Sequence, residues 1–264
     1  MEELIERAVE RVIAYMYDNL GEQITIDDMA RRAMFSKFYF TRFFQRVTGL
    51  SPGRFLSAIR LQHAKELLLS TGLTVTEVSY RVGYNSIGTF SSRFRESVGL
   101  SPTAYRQQRG LVDGVPGVVG AGEVDSRAAT IRGQVWPPRG AHVGPMFVGL
   151  FPSRLPHGTP ARCALLPEPG MFLLDNVPPG SWYLVADAHP PQHVDPVQRD
   201  THVAVHGPIT TVLDTDIRVP DLWLRPNSVF DPPVLLAWFD LRALTPKPTP
   251  RPVLAEQDAA KFVA

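Results

Sequence analysis

The sequence predicts two domains, an all-α domain of seven helices followed by an all-β antiparallel sandwich. Three observations carry this expectation. Of 25 prolines only Pro52 and Pro102 precede residue 111, and proline is excluded from helix interiors and central strands. A helical segment is written twice, so that Gly49-Leu50-Ser51-Pro52 returns as Gly99-Leu100-Ser101-Pro102. Beyond Ala129 the apolar period changes from helical to alternating.

A length of 264 residues suffices for two buried cores, and 44% hydrophobic content excludes wholesale disorder. The single cysteine, Cys163, excludes an intrachain disulfide framework and fits a reducing compartment. The acidic start, Met1-Glu2-Glu3-Leu4-Ile5-Glu6, is unlike a targeting peptide, and no run of about 18 apolar residues suggests a membrane span. A cytoplasmic location is expected.

Taken in order, a leading helix spans Glu3–Leu20. Thr25 caps a short helix over Ile26–Ala33, Met34-Phe35 turns, and Ser36 opens a longer helix that Gly49 closes. Ser51 is placed to cap the next helix through its side chain, with Pro52 at its first position, and that helix runs to Ser70. Phe55, Ile59, Ala64, Leu67 and Leu68 stripe one side of it. Thr74 or Thr76 then caps a helix through Val82, Gly83-Tyr84-Asn85 turns, and Ser86 opens the counterpart that Gly99 closes. Ser101 and Pro102 start the final helix, through Gln108. A short helix, a tight turn and a second helix form a helix-turn-helix unit, and here there are two.

Charge is concentrated in this part. Residues 31–110 hold 13 Lys and Arg against three acids, Glu66, Glu77 and Glu96, although the whole chain has a net charge of only +1. Such an excess points to a polyanion. In the first long helix Phe40, Phe43, Phe44 and Val47 share the core face, leaving Ser36, Lys37, Phe38, Thr41, Arg42, Gln45 and Arg46 to the basic side. In the second, Phe90, Phe94 and Val98 are core, and Ser86, Ile87, Gly88, Thr89, Ser91, Ser92, Arg93 and Arg95 are the candidate contacts. Phe38 stands out as an apolar group on a basic face, where it could meet a thymine methyl.

Gly83-Tyr84-Asn85-Ser86, Phe90-Ser91-Ser92-Arg93-Phe94-Arg95 and Gly99 through Arg106 make the segment from about Ile13 to Arg109 resemble the DNA-binding domain of AraC/XylS-type transcription regulators. The resemblance implies double-stranded DNA as partner, with two reading helices in successive major grooves about 34–36 Å apart and Pro52–Ser70 as spacer. It implies base contacts from Phe38, Thr41 and Arg42. Met34 stands where the first turn commonly carries Gly, so that turn is expected to be less tight. Ser92 replaces a frequent groove-reading Arg and Gly88 offers no side chain, so Arg42 is expected to carry most base readout while Arg93 and Arg95 hold phosphates.

The domain boundaries are expected at 1–110, a Gly-rich linker at 111–128, the sandwich at 129–226, and an extension at 227–264 that packs on the sandwich as an edge segment and ends in a disordered tail. Strands are expected over Thr130–Trp136, Phe147–Phe151, Arg162–Leu166, Met171–Leu174, Trp182–Ala186, Val203–Val205, Ile209–Leu213 and Asp216–Val219. Gly170 through Ala186, with its Pro178-Pro179-Gly180 turn, resembles the strand-turn-strand of carboxypeptidase-regulatory-like, transthyretin-like domains.

No catalytic, cofactor or metal site is expected. His189/His193 and His202/His206 have metal-like spacing but no accompanying ligand cluster, and Cys163 reads as a small buried hydrophobe. Alkyl-transfer repair proteins that share the DNA-binding module need several cysteines. The expected function is therefore a non-enzymatic, sequence-specific regulator that activates or represses transcription, associated with the nucleoid when bound. The sandwich would act through a small-molecule effector, self-association or RNA polymerase. The alternative is a bifunctional DNA-binding protein whose C-terminal domain carries repair or hydrolytic activity.

Overall fold

The computed structural model describes residues 2–112, 127–140, 143–188 and 201–239. Seven helices come first: α1 (Glu2–Asp18), α2 (Ile26–Ala33), α3 (Lys37–Thr48), α4 (Pro52–Ser70), α5 (Val75–Arg81), α6 (Ile87–Val98) and α7 (Pro102–Gln107). The stop signals act as the sequence predicts. Gly49 and Gly99 sit at φ 77° and 88°, each donating its N–H to the carbonyl four residues back. Thr25 and Thr74 form reciprocal capping boxes with Asp28 and Glu77, whose carboxyls those hydrogen bonds hold below the usual range. Ser36, Ser86 and Ser101 each accept a backbone N–H through the side chain. Ser51 does not: α4 starts at Pro52 without a side-chain cap, contrary to expectation.

The first turn also departs from expectation. Met34 takes φ 63°, ψ 36°, and Phe35 N–H reaches Ala30 O at 3.1 Å, as Tyr84 N–H reaches Ser79 O at 3.0 Å across Gly83. Both turns are therefore closed by the same left-handed residue, whether or not it is glycine. Glycine is obligatory only at the second, where a Cβ on Gly83 would lie 2.4 Å from Leu20 O. Met34 projects into solvent, 84% exposed, so its side chain meets no such obstacle.

The helices enclose one core built on Phe40, Phe44, Phe55, Phe90, Phe94 and Tyr105, whose rings meet in successive tilted and edge-to-face pairs. Two arginines of the basic segment work inside this domain. Arg60 donates to the Leu20 and Glu22 carbonyls and Arg106 to those of Leu68 and Leu73, each holding the loop that precedes a helix-turn-helix unit.

The remainder is sheet-rich: β1 (Leu111–Val112), β2 (Ala129–Trp136), β3 (Met146–Phe151), β4 (Cys163–Leu166), β5 (Met171–Val177), β6 (Gly180–Ala188), β7 (His202–Thr211), β8 (Asp216–Arg218), β9 (Leu222–Trp223), β10 (Arg225–Pro226) and β11 (Trp238–Phe239). β10-β7-β6-β3-β4 form one antiparallel sheet. In a second sheet β2 pairs antiparallel with β5 but parallel with β8 and β9, so the antiparallel expectation fails at those two pairings, and β1 and β11 form a separate parallel two-stranded sheet. Stacking of Trp136 on Trp223, centroids 5.6 Å apart, fastens β9 to β2. The first two sheets share a core of Ile131, Val135, Val148, Leu150, Phe172, Leu184 and Ala186. The two runs expected at 203–205 and 209–213 are one strand, β7, continuous through Gly207-Pro208.

Every residue of β3 is buried, because the five-stranded sheet is covered on its second face as well. There Phe147, Phe151, Cys163, Val185 and Val203 meet Leu236, while Leu235 and Ala237 enter the helical core. The segment 234–237 thus lies between helices and sheet. It is fixed by Ala237 N–H to Val98 O at 3.0 Å and by Lys65 Nζ donating to the carbonyls of Val234 and Leu236 at 3.2 and 3.1 Å. Lys65 is buried, and so is Asp187 on β6. Burial pushes the Lys65 ammonium down to about 8 and the Asp187 carboxyl up to about 7, each opposed by the other's charge. This second covered side explains why α4 buries Leu56, Leu61 and Lys65 beyond its expected stripe.

Candidate nucleic-acid interface

α3 and α6 each present an uncluttered first half. Ser36 and Ser86 are exposed, and their hydroxyls accept the N–H of Tyr39 and Thr89 at the helix starts. On α3, Lys37, Phe38, Arg42, Gln45 and Arg46 are exposed and Thr41 is half-buried, its hydroxyl donating to Lys37 O at 2.9 Å. Lys37 also reaches Asp27 on α2 at 3.1 Å, an exposed pair of small energetic consequence that orients α3 on α2. The Arg42 guanidinium lies over the Phe38 ring, 5.5 Å from its centroid. The cation–π contact keeps the guanidinium beside Phe38 on the outer surface of α3.

On α6, Ile87, Gly88, Thr89, Ser92, Arg93 and Arg95 are exposed and Ser91 is half-buried. A Cβ at Gly88 would meet nothing closer than Ser86 Oγ at 3.8 Å, so its lack of a side chain is not imposed by packing. The candidates do not form one surface. At 100° per residue, Ser91 and Arg95 fall on one flank of α6 and Arg93 on the other. Arg93 lines a cleft with Arg54, Glu96 and Ser97.

Tyr39 was given no role by the sequence. It is 66% exposed, edge-on to Phe38 at 5.9 Å, and with Phe38 (64% exposed) makes an aromatic corner at the start of α3. The signal for it is three aromatic residues in succession, Phe38-Tyr39-Phe40, two more than a helical core stripe can absorb. Arg54 is not among the sequence candidates either; it lies in the first turn of α4, where a cation is unfavourable against the macrodipole.

The sheet-rich part approaches the far ends of these helices. Arg154 lies against Gly49 at the end of α3, and Gly158 N–H donates to Ser97 O near the end of α6 at 2.7 Å. Among the described residues no group of three His, Cys, Asp or Glu side chains could hold a metal. His189 and His193 lie outside the described residues, while His202 and His206 are half-buried on β7. Cys163 is buried and its thiol is pushed up to about 12, as a small hydrophobe's would be. Among the described residues no helix is long and apolar enough to cross a membrane.

Two Ser-capped helices carried on paired short helices define the class: a helix-turn-helix protein, and the profile of that domain family matches residues 29–108. Through this segment the chain belongs to the AraC/XylS family. It is 33% identical over 94 residues to the HTH-type transcriptional regulator YobQ of Bacillus subtilis, covering 36% of this chain and 39% of that one. It is 30% identical over 101 residues to the TetD protein of transposon Tn10 from Escherichia coli, covering 38% and 73%. A solved structure of a probable AraC family regulator from Rhodopseudomonas palustris matches at 33% identity with a TM-score of 0.36, over 39% of this chain and 96% of that one. The chain spans 39% and 34% of the length of the first two curated relatives.

Proposed function

We propose that this chain is a sequence-specific DNA-binding transcription regulator that inserts α3 and α6 into successive major grooves. The observation that carries the reading is the Phe38–Arg42 cation–π pair on an exposed, Ser-capped helix start, with a second exposed, Ser-capped start on α6. Arg42 pairs with a guanine edge while Phe38 packs on a thymine methyl, and Thr41 and Gln45 complete the reading flank of α3. Ile87, Gly88, Thr89, Ser91 and Ser92 discriminate more weakly, and Lys37, Arg46 and Arg95 supply cations for phosphates, whereas Arg93, turned to the opposite flank of α6, does not join them. The domain limits are 1–110, 129–226 and 227–264, with a linker between the first two.

The sheet-rich part regulates rather than reacts. Its contacts with the ends of α3 and α6 and with α4 give it a direct hold on the spacing of the two reading helices. A small-molecule effector or RNA polymerase is the partner it answers to, and the protein works in the cytoplasm. Selection of bound sequences from random duplex DNA at defined salt tests the reading. Two half-sites one helical turn apart are expected, with a guanine next to a thymine in one of them. Recovery of sequences with no preference would overturn it.

A further inference from the structure

At the seam between the helical and sheet-rich parts lies a cleft of about 390 Å³, within the range of small-molecule sites. Its walls come from both sides. Arg54 on α4 and Arg93 and Glu96 on α6 face His157 from the loop after β3. Leu61, Leu155 and Leu235 make an apolar floor. Two guanidiniums against one carboxylate leave the cleft cationic. No described residue gives Arg54 or Arg93 an ion pair or hydrogen bond, whereas Arg60 and Arg106 have their carbonyls. His157 is half-buried, and burial together with the Arg54 charge lowers its pKa from the ordinary histidine value, opposed by Glu96.

The backbone contributes as well. The cleft reaches Gly53, in the first turn of α4, and α4 is the one helix from α2 to α7 without a side-chain N-cap. Its first N–H groups therefore add to the positive potential that the two arginines create.

We propose that this cleft binds a small organic anion, a carboxylate- or phosphate-bearing molecule with a compact apolar body, and that the bound anion ties the sheet-rich part to α4 and α6. The anionic group lies between Arg54 and Arg93 with His157 as a further hydrogen-bonding partner, and the apolar body rests on Leu61, Leu155 and Leu235. Because the walls come from two parts of the molecule, the site is complete only while they are docked. Occupancy therefore stabilises the docked arrangement by mass action. Any consequence for DNA rests on the function proposed above; the binding does not.

The test uses the full chain with benzoate and phenyl phosphate as probes, one for each anionic group. At about ten times its dissociation constant, a probe raises the unfolding temperature by about 3 °C. The double variant Arg54→Gln/Arg93→Gln loses that rise. So does Gly53→Glu, which sets a carboxylate where an added Cβ has nothing within 4 Å and should leave the fold intact. Arg42→Ala, outside the cleft, keeps it. A rise with either probe that both cleft variants abolish supports the site and identifies its anion class. No rise with either probe, or an equal rise in the variants, overturns it. If the probes are inert while the double variant lowers the salt slope of duplex binding by about two, the cleft grips the DNA backbone instead, and the proposal again fails. Loss of DNA binding in Arg42→Ala bears on the proposed function alone.

Discussion

Met34 and Gly83 occupy the same turn position in the two units, yet only one of them needs to be glycine. The left-handed conformation costs a side-chain-bearing residue about 1–2 kcal/mol. Met34 bears that cost in open solvent, so Met34→Gly is expected to raise stability by about 1 kcal/mol in urea unfolding. Gly83→Ala should cost about 3 kcal/mol, since its Cβ would also collide with Leu20 O. At the candidate interface, Arg42 and Arg95 should separate by role. Arg42→Ala is expected to flatten sequence preference by about 1–3 kcal/mol at one base pair. Arg95→Ala should weaken all sequences alike and reduce the salt slope by about one, as titration at several salt concentrations would reveal. Side-chain identity made this division visible from sequence. The departure of Arg93 to the opposite flank was not, because it depends on what α6 packs against.

At the scale of elements, the helices were legible because each carries its own punctuation. Gly49, Gly99, Thr25, Thr74, Ser36, Ser86 and Ser101 fix ends by hydrogen bonds within a few residues of themselves. Strands lack such local closure. From the sequence β7 reads as two pieces because Gly207-Pro208 interrupts the alternation, and the parallel pairing of β8 and β9 with β2 depends on partners more than 80 residues away. Ser51 is the exception among the caps, and it yields a contrast between otherwise identical changes. Ser101→Ala should cost about 1 kcal/mol, whereas Ser51→Ala should change thermal stability by a few tenths at most. Equal losses would mean that Ser51 does cap α4 in solution, which would fill part of the proposed anion site with a hydroxyl.

On the scale of the whole molecule, the contact least visible in the sequence is the one that joins its parts. Lys65 sits in Leu61-Gln62-His63-Ala64-Lys65-Glu66-Leu67, outside the stripe that the sequence predicts for α4, and Asp187 lies near the end of an apolar strand 122 residues later. Nothing in the sequence around either residue signals its burial. Their pH linkage has a definite sign. The Lys65 pKa is lowered to about 8 from 10.5, so the folded state binds fewer protons than the unfolded one between those values, and stability rises with pH there. The Asp187 pKa is raised to about 7 from 3.8, so the folded state binds more protons across that window, and stability falls as pH rises through it. The pair therefore contributes least between pH 7 and 8, where both groups are most fully charged in a buried seam. Removing one partner leaves the other uncompensated, a change that costs about 3–5 kcal/mol in buried pairs. Asp187→Asn should thus lose about 3 kcal/mol at pH 7 in urea unfolding and clearly less at pH 9.5, where Lys65 can shed its proton. A loss of the same size at both pH values would show that Asp187 acts through packing or hydrogen bonding on β6, and that the charge of Lys65 does not fasten the sheet to α4.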